Sequence, residues 1–190
     1  MAKNCKTMKT FQRINNEITS ANEILPGLWI GNSFASQDVD FLRPAKIEAV
    51  VNCTKDLPFS YRYYNLKERP VQFYRIPIDD PGSNSTWDTN HDTLYEMLPT
   101  ITKNISHHMK LHEPVLVHCH AGIQRSAAVV LATLIRYGVW KGATMPESIY
   151  VGAVNFIIKK RPIAFFAGES VNFEKALLKF ASNVKLNLEK

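Results

Sequence analysis

A chain of 190 residues, 45% hydrophobic and 21% charged, has room for one buried core and lacks the repeats or biased tracts of disordered and fibrous proteins. Its net charge of +6 favours anionic partners, among them phosphorylated proteins, phosphoinositides, RNA and membrane surfaces, without choosing between them. Three cysteines, Cys5, Cys53 and Cys119, form an odd count without metal-ligand spacing, which argues against a disulfide framework or a structural zinc site and makes reduced thiols the expectation.

Met1–Lys6 lacks the apolar core of a signal peptide, and no apolar run approaches the roughly 20 residues that cross a bilayer. Neither end carries a lipidation signal, so the expected location is the cytoplasm, with the nucleus as the other compartment. Residues 6–18 place Met8, Phe11, Ile14 and Ile18 on one helical face, with Lys6, Lys9 and Arg13 opposite. This predicts an amphipathic helical extension over residues 1–20. It would dock on its own domain, pair with a second copy as a homodimer, or lie on an acidic membrane.

Ile24–Gly31 holds two short apolar runs around Pro26-Gly27 and reads as a tight hairpin, with a helix near Ser36–Leu42 after it. Ile47–Val51 and Phe73–Ile76 read as strands, joined by an exposed loop containing Tyr61, Tyr63 and Tyr64. Asp88–Lys110 reads as helix that Pro99 should kink or divide. Pro114–Val117 is a buried strand by composition, and a helix over Ala127–Tyr137 follows shortly after it. Amphipathic stretches at Glu147–Lys159 and Val171–Asn183 complete a single α/β domain, a central mixed sheet flanked by helices.

Between the buried strand and its helix lies His118-Cys119-His120-Ala121-Gly122-Ile123-Gln124-Arg125-Ser126. A cysteine in this position has its sulfur beside backbone N–H groups and the positive end of a helix, which favours thiolate. The same N–H groups, curled into a concavity, would bind phosphate oxygens, and Arg125 offers a planar fork of donors to two more. Gly122 stands where a positive φ or a close anion excludes a side chain. Ser126 would donate its hydroxyl to the departing thiolate, or else cap the helix. His118 falls on the opposite side of the strand from Cys119, which favours a role in holding the loop backbone over proton transfer.

His-Cys, five residues, then Arg-Ser, with Ala121-Gly122 inside, resembles the signature of the dual-specificity protein phosphatases, small members of the cysteine-based protein tyrosine phosphatase superfamily. The likeness extends from about Glu23 to Phe180, including the opening hairpin, Val50-Val51-Asn52, and the late helices with Lys159-Lys160-Arg161-Pro162. The latter are packing matches without a catalytic implication. Residues 21–183 are accordingly expected to form the catalytic domain and 184–190 a tail. His120 and Gln124 depart from residues common in many relatives, serine being frequent at the second position.

Arg75-Ile76-Pro77-Ile78-Asp79-Asp80-Pro81-Gly82 is similar to the family's acid loop, whose register makes Asp80 the proton donor, with Asp79 as competitor and a simple turn as the bland alternative. The resemblance implies attack on phosphorus by Cys119, stabilisation by Arg125 and loop amides His120–Gln124, protonation of the leaving oxygen by Asp80, and hydrolysis of a phosphocysteine aided by Ser126. No metal or organic cofactor is implied. Expected substrates are phosphoproteins carrying phosphotyrosine and phosphoserine or phosphothreonine. RNA 5′ ends or phosphoinositides are the alternative, although the loop lacks the lysines of lipid-directed relatives and the threonine after the arginine of RNA-directed ones. A catalytically inactive phosphate-binding module is the third reading. An oxidisable Cys119 would also raise a disulfide to Cys53 or Cys5.

Overall fold

The computed structural model describes residues 19–60, 70–79, 87–138, 145–165 and 173–188. The segment at 6–18, the loop with Tyr61, Tyr63 and Tyr64, and Asp80 lie outside the described residues. The chain opens with strands β1 (Ala21–Leu25) and β2 (Leu28–Gly31), joined through Pro26-Gly27. Gly27 has φ +79, the left-handed value that the third residue of such a turn needs after proline, and its N–H donates to the Glu23 carboxylate at 2.8 Å. The short helix α1 (Val39–Leu42) follows, started by Asp38, whose carboxylate accepts from Asp40 N and Phe41 N.

Strands β3 (Ala49–Asn52), β4 (Gln72–Arg75) and β5 (Val115–His118) complete a five-stranded sheet in the order β1-β2-β5-β3-β4. Only the β1–β2 pair is antiparallel, as its hairpin dictates. β5 lies between β2 and β3, parallel to both, and all four of its residues are buried. That burial on both faces explains why its sequence is an unbroken apolar run rather than an alternating one.

Alternation along the strands sorts two cores. Val51, Val115, Val117, Cys53 and Cys119 join the main cluster under the helices, while Val50 and Leu116 face a smaller cluster with Leu42, Ile47 and Val71. Trp29 and Phe41 close the smaller cluster edge to face, with centroids 5.1 Å apart. Over the main core lie α2 (Trp87–Lys110), α3 (Arg125–Tyr137), α4 (Pro146–Lys160) and α5 (Glu174–Leu188). α3 is buried from Arg125 to Ile135 and packs against β5 and the other three long helices, so it is apolar nearly all round.

Of the kink or division expected at Pro99, the division does not occur: α2 continues as helix through it. Pro99 is exposed, while Leu94, Leu98, Ile101 and Ile105 form a buried stripe against α3 and α5. Pro99 is thus on the watered side, and packing along the opposite stripe holds the helix together. The last helix also starts later than expected and continues past Asn183 to Leu188, into the stretch expected as a tail.

Candidate active site

Parallel strands deliver their C-terminal ends to one edge of the sheet, the usual place for a ligand crevice in such folds. β5 ends there at His118, and Cys119 opens the loop that enters α3 at Arg125. Cys119 is 2% exposed. Its Sγ meets the Gly122 N–H at 3.3 Å and the Ser126 hydroxyl at 3.4 Å. The Gly122 amide donates to the sulfur, and the Ser126 hydroxyl stands within hydrogen-bonding reach of it. The N-cap position of α3 is Gln124, without a side-chain capping bond, so Ser126 does not serve as the cap.

Three carbonyls of the loop are turned outward by partners on other elements. His120 O accepts from Ser33 N at 3.0 Å, Ile123 O from Phe165 N at 2.9 Å, and Gly122 O from Arg161 Nε at 2.8 Å. In a trans peptide the N–H points opposite to its carbonyl. The N–H groups of Ala121, Ile123 and Gln124 are therefore turned toward the inside of the loop, which makes an anion-binding concavity at the start of a helix. Gly122 has φ +69, and a Cβ there would come within 2.7 Å of Gly31 O and 2.6 Å of Arg161 Nη2. Glycine is required at this position on both counts.

Arg125 is 4% exposed, and its Nη1 donates to Ile78 O at 3.2 Å. That bond brings the segment before Asp79 up to the loop that follows β5. Asp79 turns its carboxylate to Lys55, 3.6 Å away, and its N–H to Asn90 Oδ1 at 3.1 Å. The acid candidate Asp80 follows directly, outside the described residues.

His118 is buried, and burial lowers its pKa to about 4, with a hydrogen bond to the Cys119 backbone offsetting part of the fall and Arg75 and His120 adding to it. It is neutral near pH 7 and, by strand alternation, on the opposite face from Cys119. His120 is at the rim, with Nε2 3.3 Å from Asp56 Oδ1. The Asp56 carboxyl is held below its usual range by a hydrogen bond to its own backbone and by His120.

Cys53 stands one residue beyond the Asn52–His118 register pair, so β3 and β5 set it beside Cys119, and its N–H donates to His118 O at 2.8 Å. Burial pushes the Cys53 thiol well up, and Cys119 adds to the shift. Two neighbouring cysteines thus differ in character, one in an apolar core and one facing donors.

Sequence reasoning expected His118 and the late helices to support the loop but did not single out the side chains of Asn52, Arg75 and Arg161. Asn52 is fully buried and knits the turn after β3, donating to Leu57 O and accepting from Thr54 N and Thr54 Oγ1. Arg75 completes this turn through Thr54 O and Leu57 O at 2.7 and 2.8 Å, and so fixes the rim that carries Lys55 and Asp56. Arg161, the C-cap of α4, is fully buried against Gly122. The available signal was an arginine joined to Pro162 at a helix end, which is indistinguishable in sequence from the neighbouring Lys159 and Lys160.

Comparison with known proteins agrees with this arrangement. The family described as "Dual specificity phosphatase, catalytic domain" matches residues 28–181. Dual specificity protein phosphatase Mpk3 of Drosophila melanogaster is 33% identical over 114 residues, 60% of this chain and 25% of that protein. Dual specificity protein phosphatase 1-B of Xenopus laevis is 28% identical over 162 residues, 82% of this chain and 37% of that protein. This chain thus spans well under half of either relative. The crystal structure of human DUSP28 superposes with a TM-score of 0.66 at 21% identity, covering 88% of this chain and 97% of that one, and establishes the likeness of fold. Among the described residues no helix is long and apolar enough to cross a membrane.

Proposed function

This chain belongs to the dual specificity phosphatase family, and we propose that it hydrolyses phosphotyrosine and phosphoserine or phosphothreonine in proteins through a phosphocysteine intermediate. The observation that carries this reading is the Cys119 sulfur resting on the Gly122 N–H and the Ser126 hydroxyl, beneath a loop whose amides face inward. In the first step Cys119 attacks phosphorus. Inward N–H groups and Arg125 receive the three equatorial oxygens, whose charge is greatest in the transition state. Arg125 exchanges its contact with Ile78 O for substrate, or keeps one donor on each, since its guanidinium has several.

Asp80 protonates the leaving oxygen, then deprotonates the water that attacks the phosphocysteine, while Ser126 steadies the sulfur as it departs. The engagement of Asp79 with Lys55 supports assigning the acid to Asp80. Phosphoprotein substrates fit the family and the basic chain, and the cytoplasm or nucleus is where such substrates occur. Pairing of two copies through residues 6–18 belongs to the same proposal, with unchanged solution mass after removal of residues 1–19 as the result against it.

The test is phosphate release from a peptide carrying phosphothreonine and phosphotyrosine, with triphosphorylated RNA and phosphoinositides in parallel, for the natural protein and Cys119→Ser. Release from both peptide positions that disappears in the variant is expected. Release confined to RNA or lipid would reassign the substrate class, and no release from any substrate would leave a phosphate-binding module.

A further inference from the structure

Two of the three outward carbonyls of the loop are held by backbone amides, those of Ser33 and Phe165. The third, Gly122 O, is held by a side chain from 39 residues further along the chain. Arg161 has no solvent-exposed surface, although burying a guanidinium is costly unless something specific receives it. Its Nε donates to Gly122 O, and its Nη1 to Asn22 Oδ1 at 2.5 Å and Thr19 O at 3.3 Å. Among the described residues, each of these acceptors is neutral. Burial lowers its pKa to about 10, and the charge that draws it back up is the Cys119 sulfur.

We propose that Arg161 is a positioning residue for the nucleophile, fixing the Gly122 carbonyl outward and supplying a buried positive charge that favours the Cys119 thiolate. The inference rests on Cys119 being the phosphatase nucleophile and deepens that reading. With its carbonyl pinned, Gly122 stays at φ +69, the conformation in which its own N–H reaches Cys119 Sγ at 3.3 Å. The same bond turns the Ile123 N–H toward substrate oxygens. Asn22 and Thr19 hold the far side of the guanidinium, so the start of the chain's first hairpin is tied through Arg161 to the catalytic loop. Attraction between guanidinium and thiolate is mutual: whatever the sulfur does to hold Arg161 charged, Arg161 does to hold the sulfur ionised.

The experiment measures iodoacetamide alkylation of Cys119 against pH, read on the Cys119 peptide by mass spectrometry, in the full chain and in Arg161→Met, Arg161→Lys and Asn22→Ala. Thermal melting of each variant checks its fold, and kcat/KM against pH is recorded on the same preparations. In Arg161→Met the apparent thiol pKa is expected to rise by about one unit, so alkylation well below that pKa slows about tenfold. Arg161→Lys should return the thiol pKa toward the natural value while kcat/KM stays about tenfold low, because an ammonium restores charge without the fork that pins Gly122 and grips Asn22. Asn22→Ala, which leaves Arg161 in place on a partly exposed strand, should shift the thiol in the same direction by less.

Unchanged Cys119 ionisation in folded Arg161→Met overturns the proposal, even if turnover falls. If that variant does not fold, unchanged ionisation and an unchanged pH profile in Asn22→Ala overturn it instead. A thiol shift in a protein that releases no phosphate from any substrate would retain the role of Arg161 and reject the phosphatase function.

Discussion

Acid should destabilise this protein through His118 before its carboxylates titrate. Its folded pKa of about 4 is below the ordinary 6.5, because burial disfavours imidazolium. Between these values the unfolded chain binds a proton that the folded one does not, so stability rises with pH across the window and is lost as pH falls through it. That difference corresponds to about 3 kcal/mol, most of which is lost by pH 4.5. For a domain of ordinary stability, roughly 5–15 kcal/mol, that is a large fraction.

Urea unfolding at several pH values between 7.5 and 4.5 would measure it, in the natural protein and in His118→Gln, which cannot titrate. The variant will start from a different stability, since glutamine must find its own partners in a buried site, but that offset is constant with pH. The stability of the natural protein relative to the variant should fall by about 2–3 kcal/mol on going from pH 7.5 to 4.5. Carboxylates contribute equally to both and cancel. A difference that stays flat to within about 0.5 kcal/mol would refute the reasoning and mean that His118 accepts a proton in the fold.

Gly122→Ala should cost about 2–4 kcal/mol and lower kcat/KM by at least about a hundredfold, because the new Cβ meets the Gly31 carbonyl at 2.7 Å in a left-handed backbone. Thermal melting together with phosphate release checks this, and a folded variant within threefold of natural activity would contradict the loop geometry. Asp80→Asn should slow turnover of phosphoserine peptides by about a hundredfold while affecting an aryl phosphate with a good leaving group far less, and Asp79→Asn should do little to either. The reverse ranking in steady-state kinetics would move the acid to Asp79.

The elements that were legible in the sequence are those whose cause is local. Val115–Val117 reads as strand because three consecutive apolar, mostly branched residues need burial on both faces, and β5 is the central strand. Pro26-Gly27 reads as a turn because its two residues have the φ values that the hairpin uses. The loop from Cys119 to Ser126 was legible for a related reason: cysteine, glycine, arginine and hydroxyl all lie within a few residues, so their spacing records their geometry. Pro99 does not divide α2, and the same local logic could not show why, since propensity contains no information about the buried stripe that carries the helix past it.

What holds the loop open is of another kind. Ser33, Phe165 and Arg161 come from the turn after β2 and the stretch after α4, and each acts through a bond whose partner is distant in the chain. Two of them act through backbone N–H groups, for which any residue but proline has the same donor, so no side-chain pattern marks them. Phe165 even adopts φ +62, a conformation its side chain disfavours, while its N–H reaches Ile123 O. An anion cradle needs its carbonyls turned away from the ligand, and a short loop has no partners of its own to turn them. The chemistry can therefore be written in one stretch of sequence, but its preorganisation has to be supplied by the rest of the fold, and of the three residues that turn the loop carbonyls outward Arg161 is the one that acts through its side chain.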